Sequence, residues 1–218
     1  MTAGGTRELL LVRHGNTFGP GDRVVWVGAG EDLPLVEKGR EQARALGHAL
    51  ERLGWTPDAA VSSALVRQRE HLEIAAAAEV PRSVDARLGE LDYGAWGGRT
   101  TDELVAEFGA DEVAAWNERS EWPAAGAWPE SREEVRARVR SFADDVARGA
   151  LGARVLACSS NGLLRWFLEL VPGAFEDART DGRLKVRTGG ACLLRFADGA
   201  WSVGFWNVAP DGLDAWDG

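Results

Sequence analysis

The 218-residue chain holds one tyrosine, one methionine, two cysteines and three histidines. Two cysteines, Cys158 and Cys192, both in apolar stretches, read as buried free thiols of a reducing compartment, not as a disulfide framework. The histidines, His14, His48 and His71, follow no ligand spacing, so no metal is expected. No stretch approaches the ~20 apolar residues of a membrane span. The opening MTAGGTRELL also lacks the basic and apolar regions of an export signal, and the expectation is a soluble, cytoplasmic protein. Positive charge is short as well: 25 Lys and Arg against 34 Asp and Glu give a net charge of -9. That balance argues against non-specific nucleic-acid binding, which needs a basic footprint on the phosphates. It leaves room for a small anionic ligand, because arginines in a cleft act locally.

The chain does have ten tryptophans and 45% hydrophobic residues, enough for the core of one large α/β domain. RELLLVRH is a continuous apolar run of strand length, as in a strand buried on both faces. From Pro34 to Gly54, Leu35, Ala43, Leu46, Leu50 and Leu53 recur at helical spacing, with polar residues between them. DAAVSS reads as a second strand and 64–78 as a second helix. From Ser131 to Ala147, Val135, Val139, Phe142 and Val146 mark a third helix; ARVLACSS is then a strand and NGLLRWFLELV a helix closed by Pro172. ACLLRFA and WSVGFWN form two last strands around Asp198-Gly199. This alternation predicts an α/β three-layer sandwich, a mainly parallel sheet with helices on both faces. The domain is expected to span 1–218 with a cap-like loop insertion at about 92–130, where glycine, proline and tryptophan concentrate.

Three strand ends carry the polar chemistry. The first runs into Arg13-His14-Gly15-Asn16-Thr17, the second into Ser62-Ser63 with Arg67 one turn on, and the third into Ser159-Ser160-Asn161-Gly162. In a parallel sheet these ends share one edge, and their arginines, hydroxyls and helix N-termini make an oxyanion site of the phosphate type. Taken alone, each residue has a plainer reading: a satisfied structural histidine, a surface arginine, an N-cap serine.

LLLVRHGNT, DLPLVEKGREQARALG, VSSALVRQREHLEIA and LGELDYGAWGG, in that order, resemble the histidine phosphatase superfamily, the phosphoglycerate mutase-like proteins. The resemblance runs from Leu9 to about Leu170. It implies that fold, no cofactor, and a small-molecule phosphate ester as partner; nucleic acid and membrane are not expected, and a homodimer stays open. It further implies that His14 is the nucleophile that becomes phosphohistidine, that Arg13 and Arg67 clamp the phosphoryl oxygens, and that Glu90 protonates the leaving group. Asn16 is implied as a further phosphate donor. His48 and His71 are read as structural, with an approach of His71 to the site left open because it lies one turn beyond Arg67; the family commonly has a small hydroxyl residue at position 71.

One departure stands out. The family usually has Ser-His-Gly-Gly where this chain has Ser159-Ser160-Asn161-Gly162, so Ser160 takes the place of a second catalytic histidine. Either Ser160 and Asn161 donate to the phosphate instead, or transfer is slowed. The expectation is a metal-independent phosphomonoesterase acting on a small organic phosphate through phosphohistidine. Its alternatives are an impaired phosphate-ligand-binding protein and a different reaction on a bulky substrate. Trp26, Trp116, Trp122 and Trp128 are expected to wall the substrate site, favouring an apolar or planar leaving group, and Trp96 to pack beneath the loop.

Overall fold

Six strands form a single sheet in the computed structural model, which describes residues 5–215. They are β1 (Arg7–Arg13), β2 (Ala59–Ser62), β3 (Arg82–Val84), β4 (Arg154–Ser159), β5 (Ala191–Ala197) and β6 (Ala200–Val208), in the spatial order β3-β2-β4-β1-β5-β6. The first four are parallel; β5 pairs antiparallel with β1, and β6 with β5. The hairpin between β5 and β6 turns at Asp198 (φ 52°) and Gly199 (φ 81°), the positive pair that a tight hairpin of this hand requires.

The continuous apolar run of β1 is explained by its two covered faces. Leu9 and Leu11 pack with Val155, Ala157, Phe142 and Phe167 on one side, while Leu10 and Val12 pack with Leu46, Leu50, Leu72 and Cys158 on the other. All four β1 side chains are fully buried, each worth ~1.5–3 kcal/mol in transfer free energy. Helices α1 (Glu37–Arg52) and α2 (Val66–Ala75) supply the second face. The first is covered by α3 (Thr101–Phe108), α4 (Ala110–Arg119), α5 (Arg132–Ala147), α6 (Asn161–Leu164) and α7 (Ala174–Thr180). These are the three layers that the alternation predicts.

Boundaries shift for identifiable reasons. The first helix starts at Glu37, not near Pro34, because Leu35 N donates to Glu70 Oε2 and Val36 N to Asn16 O, which keeps 34–36 extended. The second starts at Val66, whose N–H donates to Asp32 Oδ1, while Ser63 Oγ accepts from Leu65 N. The helix expected over 161–171 is one α-turn continued as a 3-10 helix, Arg165–Leu170. Strand β3 has no counterpart in the sequence reading; its three residues are all exposed and so show no periodicity. Within 92–130, α3 opens with a capping box, Thr100 with Glu103, and α4 carries Trp116.

Candidate active site

Parallel pairing sets Arg13 opposite Ser159 and Ser62 opposite Cys158, so β1, β2 and β4 end together, and His14 N donates to Ser159 O at 3.1 Å. A cavity of about 510 Å³ opens at this edge. Arg13, His14, Asn16, Glu90, Asn161 and Trp26 line it, and Trp116 joins them from α4.

His14 is 7% exposed, and its Nδ1 lies 2.8 Å from Gly15 O. A carbonyl only accepts, so Nδ1 holds the proton and the Nε2 lone pair is free. Burial, then the charges of Arg13 and Arg67, hold the imidazole well below its ordinary range and keep it neutral. Gly15 N donates to His71 Nδ1 at 3.1 Å, so the loop is fixed from both ends of Gly15. His71 is fully buried, and desolvation lowers its pKa to about 4. With Nδ1 accepting, its proton sits on Nε2, which has no partner among the described residues. The loop also lies backbone to backbone on α1: a Cβ at Gly15 would collide with Gly39 O, and one at Gly39 with Asn16 O.

The remaining sequence-selected residues divide into those that face the cavity and those behind it. Arg13 Nη1 donates to Val186 O at 2.8 Å, and its buried Nε has no partner among the described residues. Asn16 Oδ1 accepts from Thr188 Oγ1 at 2.5 Å, leaving its amide nitrogen available. Glu90 Oε1 accepts from Leu91 N (2.9 Å) and Oε2 from Gly162 N (3.1 Å), a carboxyl group held in place by two backbone donors. Gly162 permits this approach, since a Cβ there would strike both Glu90 Oε1 and the Tyr93 hydroxyl. Asn161 Oδ1 accepts from Val186 N at 2.9 Å, so its Nδ2 is the end left for the cavity.

Arg67 is 1% exposed and lies outside the cavity lining. Its Nη1 and Nη2 donate to Glu31 O and Gly28 O at 2.7 and 3.1 Å, and it acts on His14 through its charge. Ser160 also lies outside the lining. Its hydroxyl does not line the cavity; Oγ accepts from Gln68 Nε2 at 3.0 Å, and Gln68 is itself held by Ser63 N. The Ser160 oxygen therefore serves Gln68 as an acceptor, away from the residues that line the cavity.

The aromatic wall is also narrower than expected. Trp26 and Trp116 line the cavity; Trp122 and Trp128 do not. Trp128 stacks edge-on behind, 4.7 Å from Trp116 and 5.4 Å from Trp96, and Trp122 packs 5.6 Å from Trp116. Trp26, Trp96, Trp116, Trp122 and Trp128 belong to one hydrophobic cluster, in which Trp96 is fully buried. Apolar lining comes instead from Phe18, Val24 and Val25, with Val24 62% exposed at the rim.

Sequence reasoning missed Tyr93, Asn117, Thr188 and Arg165, all in the lining. Burial, then the neighbouring Glu90, raises the Tyr93 pKa, so its hydroxyl keeps its proton as a donor. Arg165 had a signal: it follows Asn161 by one helical turn from the strand end. Among the described residues no three His, Cys, Asp or Glu side chains group as a metal set, and no helix is long and apolar enough to cross a membrane.

Comparison with known proteins finds relatives over most of the chain. A 2,3-bisphosphoglycerate-dependent phosphoglycerate mutase from Methylobacterium radiotolerans is 34% identical over 195 residues, 87% of this chain and 89% of that protein. The alpha-ribazole phosphatase structure from Shigella flexneri superposes with a TM-score of 0.73 at 22% identity, covering 93% of this chain and 96% of that one. A mycobacterial glucosyl-3-phosphoglycerate phosphatase in complex with VO3 gives 0.72 at 28% identity, covering 93% and 99%. The histidine phosphatase superfamily (branch 1) profile matches residues 9–209, and the chain belongs to that superfamily.

Proposed function

We propose that the protein is a metal-independent phosphomonoesterase that passes the phosphoryl group of a small organic phosphate through His14. The observation that carries this reading is the His14 tautomer: Nδ1 is committed to Gly15 O, so a neutral Nε2 faces the cavity edge. In the first step Nε2 bonds to phosphorus as the ester P–O bond breaks, and the departing oxygen takes a proton from Glu90. In the second, water attacks the phosphohistidine, Glu90 takes the water's proton, and inorganic phosphate leaves. Arg13, from the cavity wall, and Arg67, from behind it, spread the charge of the transferring group, with Asn16 and Asn161 as amide donors. Trp26, Trp116, Val24 and Val25 favour an ester with an apolar or planar leaving group. The relatives' names, phosphatases and mutases of phosphate esters, support the same class.

A second reading, a pocket that holds phosphate esters and cleaves them slowly, is favoured by one observation: the Ser160 hydroxyl is engaged by Gln68. One experiment separates the two. The protein is mixed with an aryl phosphate, quenched in base to preserve phosphohistidine, and analysed by mass spectrometry alongside phosphate release. Phosphate on His14, lost in His14→Ala together with turnover and unaffected by a chelator, is the expected outcome. Turnover persisting in His14→Ala overturns the mechanism. Saturable binding without turnover selects the second reading.

A further inference from the structure

We infer that His71 is a positioning residue for the proposed reaction: through the Gly15 N–H it sets the geometry that commits the His14 proton to Nδ1 and leaves Nε2 bare for phosphorus. The inference rests on the phosphomonoesterase reading and adds to it a side chain that touches no substrate, since His71 lies outside the cavity lining.

His71 is fully buried, with Nδ1 accepting from Gly15 N at 3.1 Å and Nε2 without a partner among the described residues. A buried N–H left without an acceptor costs free energy, and an apolar side chain of similar size on α2 would avoid that cost. What such a side chain would lose is the acceptor for Gly15 N. The imidazole suits that duty because burial keeps it neutral, with its pKa lowered to about 4, so Nδ1 presents a lone pair at neutral pH.

Gly15 is where an acceptor matters most. Its carbonyl is the partner of His14 Nδ1 at 2.8 Å, and the approach of Gly39 O excludes a side chain there. Without a Cβ, sterics leave its φ and ψ open, and hydrogen bonds must set them. Three successive N–H groups do so from three elements: His14 N donates to Ser159 O on β4, Gly15 N to His71 on α2, and Asn16 N to Gln42 Oε1 on α1. Gln42 holds the peptide plane that contains Gly15 O, and His71 the plane before it. The other end of that earlier plane, His14 O, takes only a shared N–H, that of Gly189, at 3.2 Å beside 3.0 Å to Arg13 O. The angle between the two planes decides whether Gly15 O stays in line with Nδ1. Helix α2 is itself anchored, as Val66 N donates to Asp32 Oδ1 and Glu70 accepts from Leu35 N and Arg40 Nε, so a rigid element sets the nucleophile.

The test compares His71→Leu, which removes the acceptor, with His71→Asn, whose Oδ1 can replace Nδ1. Imidazole nitrogen NMR shifts distinguish a protonated from a bare ring nitrogen, and with three histidines in the chain the His14 signals are assigned from the His48→Gln and His71→Asn spectra. In wild type and His71→Asn they should report a proton on Nδ1 and none on Nε2. In His71→Leu they should move toward values averaged between the two tautomers. Its kcat on an aryl phosphate should fall roughly 10- to 100-fold with KM changed less than about twofold, the pattern of a misplaced nucleophile. A merely structural role would lower the folded fraction in urea and leave the His14 signals of the folded protein as in wild type. Signals that stay in place in His71→Leu overturn the inference whatever kcat does, and with turnover through His14 they leave the phosphatase reading intact. A His71→Asn variant as impaired as His71→Leu overturns it too. The spectra need no turnover: signals that move in a protein without phosphatase activity support the positioning and remove the phosphatase reading.

Discussion

Acidification should destabilise this protein well above the pH at which its carboxylates titrate, and the reason is two buried neutral histidines. His71 has its pKa lowered from 6.5 to about 4 by desolvation, and His14 is held well below 6.5 by burial and two arginines. A group whose folded pKa is depressed leaves the unfolded chain to bind the proton first. Stability is therefore complete above about pH 6.5 and is lost as pH falls from there toward the folded values. For His71 the full window is worth about 3 kcal/mol, and by about pH 5, before most unfolded carboxylates protonate, about 2 kcal/mol has gone. His14, held below its ordinary range in the same direction, adds to that loss, so wild type should lose more than the about 2 kcal/mol of His71 alone between about pH 7.5 and about pH 5. His71→Asn keeps an acceptor for Gly15 N and removes the titration, so it should lose about 2 kcal/mol less than wild type over that interval. Urea unfolding followed by tryptophan fluorescence, in phosphate-free buffer so that no ligand shifts the midpoint, measures the difference. Equal pH dependence in wild type and His71→Asn would refute the assignment of His71 as a buried neutral group.

Gly39→Ala places a methyl against the Asn16 carbonyl, and a shift of the His14 loop by about 1 Å should lower kcat roughly 100-fold while far-UV circular dichroism stays native. Asn161→Ala removes an amide from the cavity and should lower kcat more than about tenfold, whereas Ser160→Ala should change it less than about threefold. The Ser160→Ala cost appears in unfolding as about 1–3 kcal/mol, because Gln68 Nε2 is left buried without an acceptor; equal kcat losses in the two variants would contradict the placement of Ser160. Trp26→Ala should lower kcat/KM about tenfold for aryl esters and little for small alkyl esters, and uniform loss would remove Trp26 from substrate contact.

The fold was legible where a physical constraint repeats along the chain. The unbroken run Leu9 to Val12 needed apolar neighbours on both faces, and α5 displays its buried face through Val135, Val139, Phe142 and Val146. Legibility failed where a single distant partner decides. Nothing local says that Glu70 will take Leu35 N and Asp32 will take Val66 N, yet these bonds, 35 and 34 residues apart in sequence, set where two helices begin. The tryptophans mislead for a related reason. Composition reports ten large rings but not which sit in front, and Trp122 and Trp128 pack edge-on against Trp116 and each other instead of lining the cavity.

The same distinction separates what the sequence says about the site. Parallel strand order alone brings the ends of β1, β2 and β4 to one edge, so His14, Asn16 and Asn161 can be placed together before any coordinates are known. The bonds that decide what each residue does cross the chain. Gln68 reaches Ser160 over 92 residues and turns a cavity hydroxyl into a packing contact, while His71 reaches Gly15 over 56 and turns a helix residue into a support for the His14 loop. Both come from α2, the helix that also carries Arg67. A substitution on its buried face therefore reaches the cavity at three points: the orientation of the His14 loop, the Ser160 hydroxyl, and a charge that keeps His14 neutral.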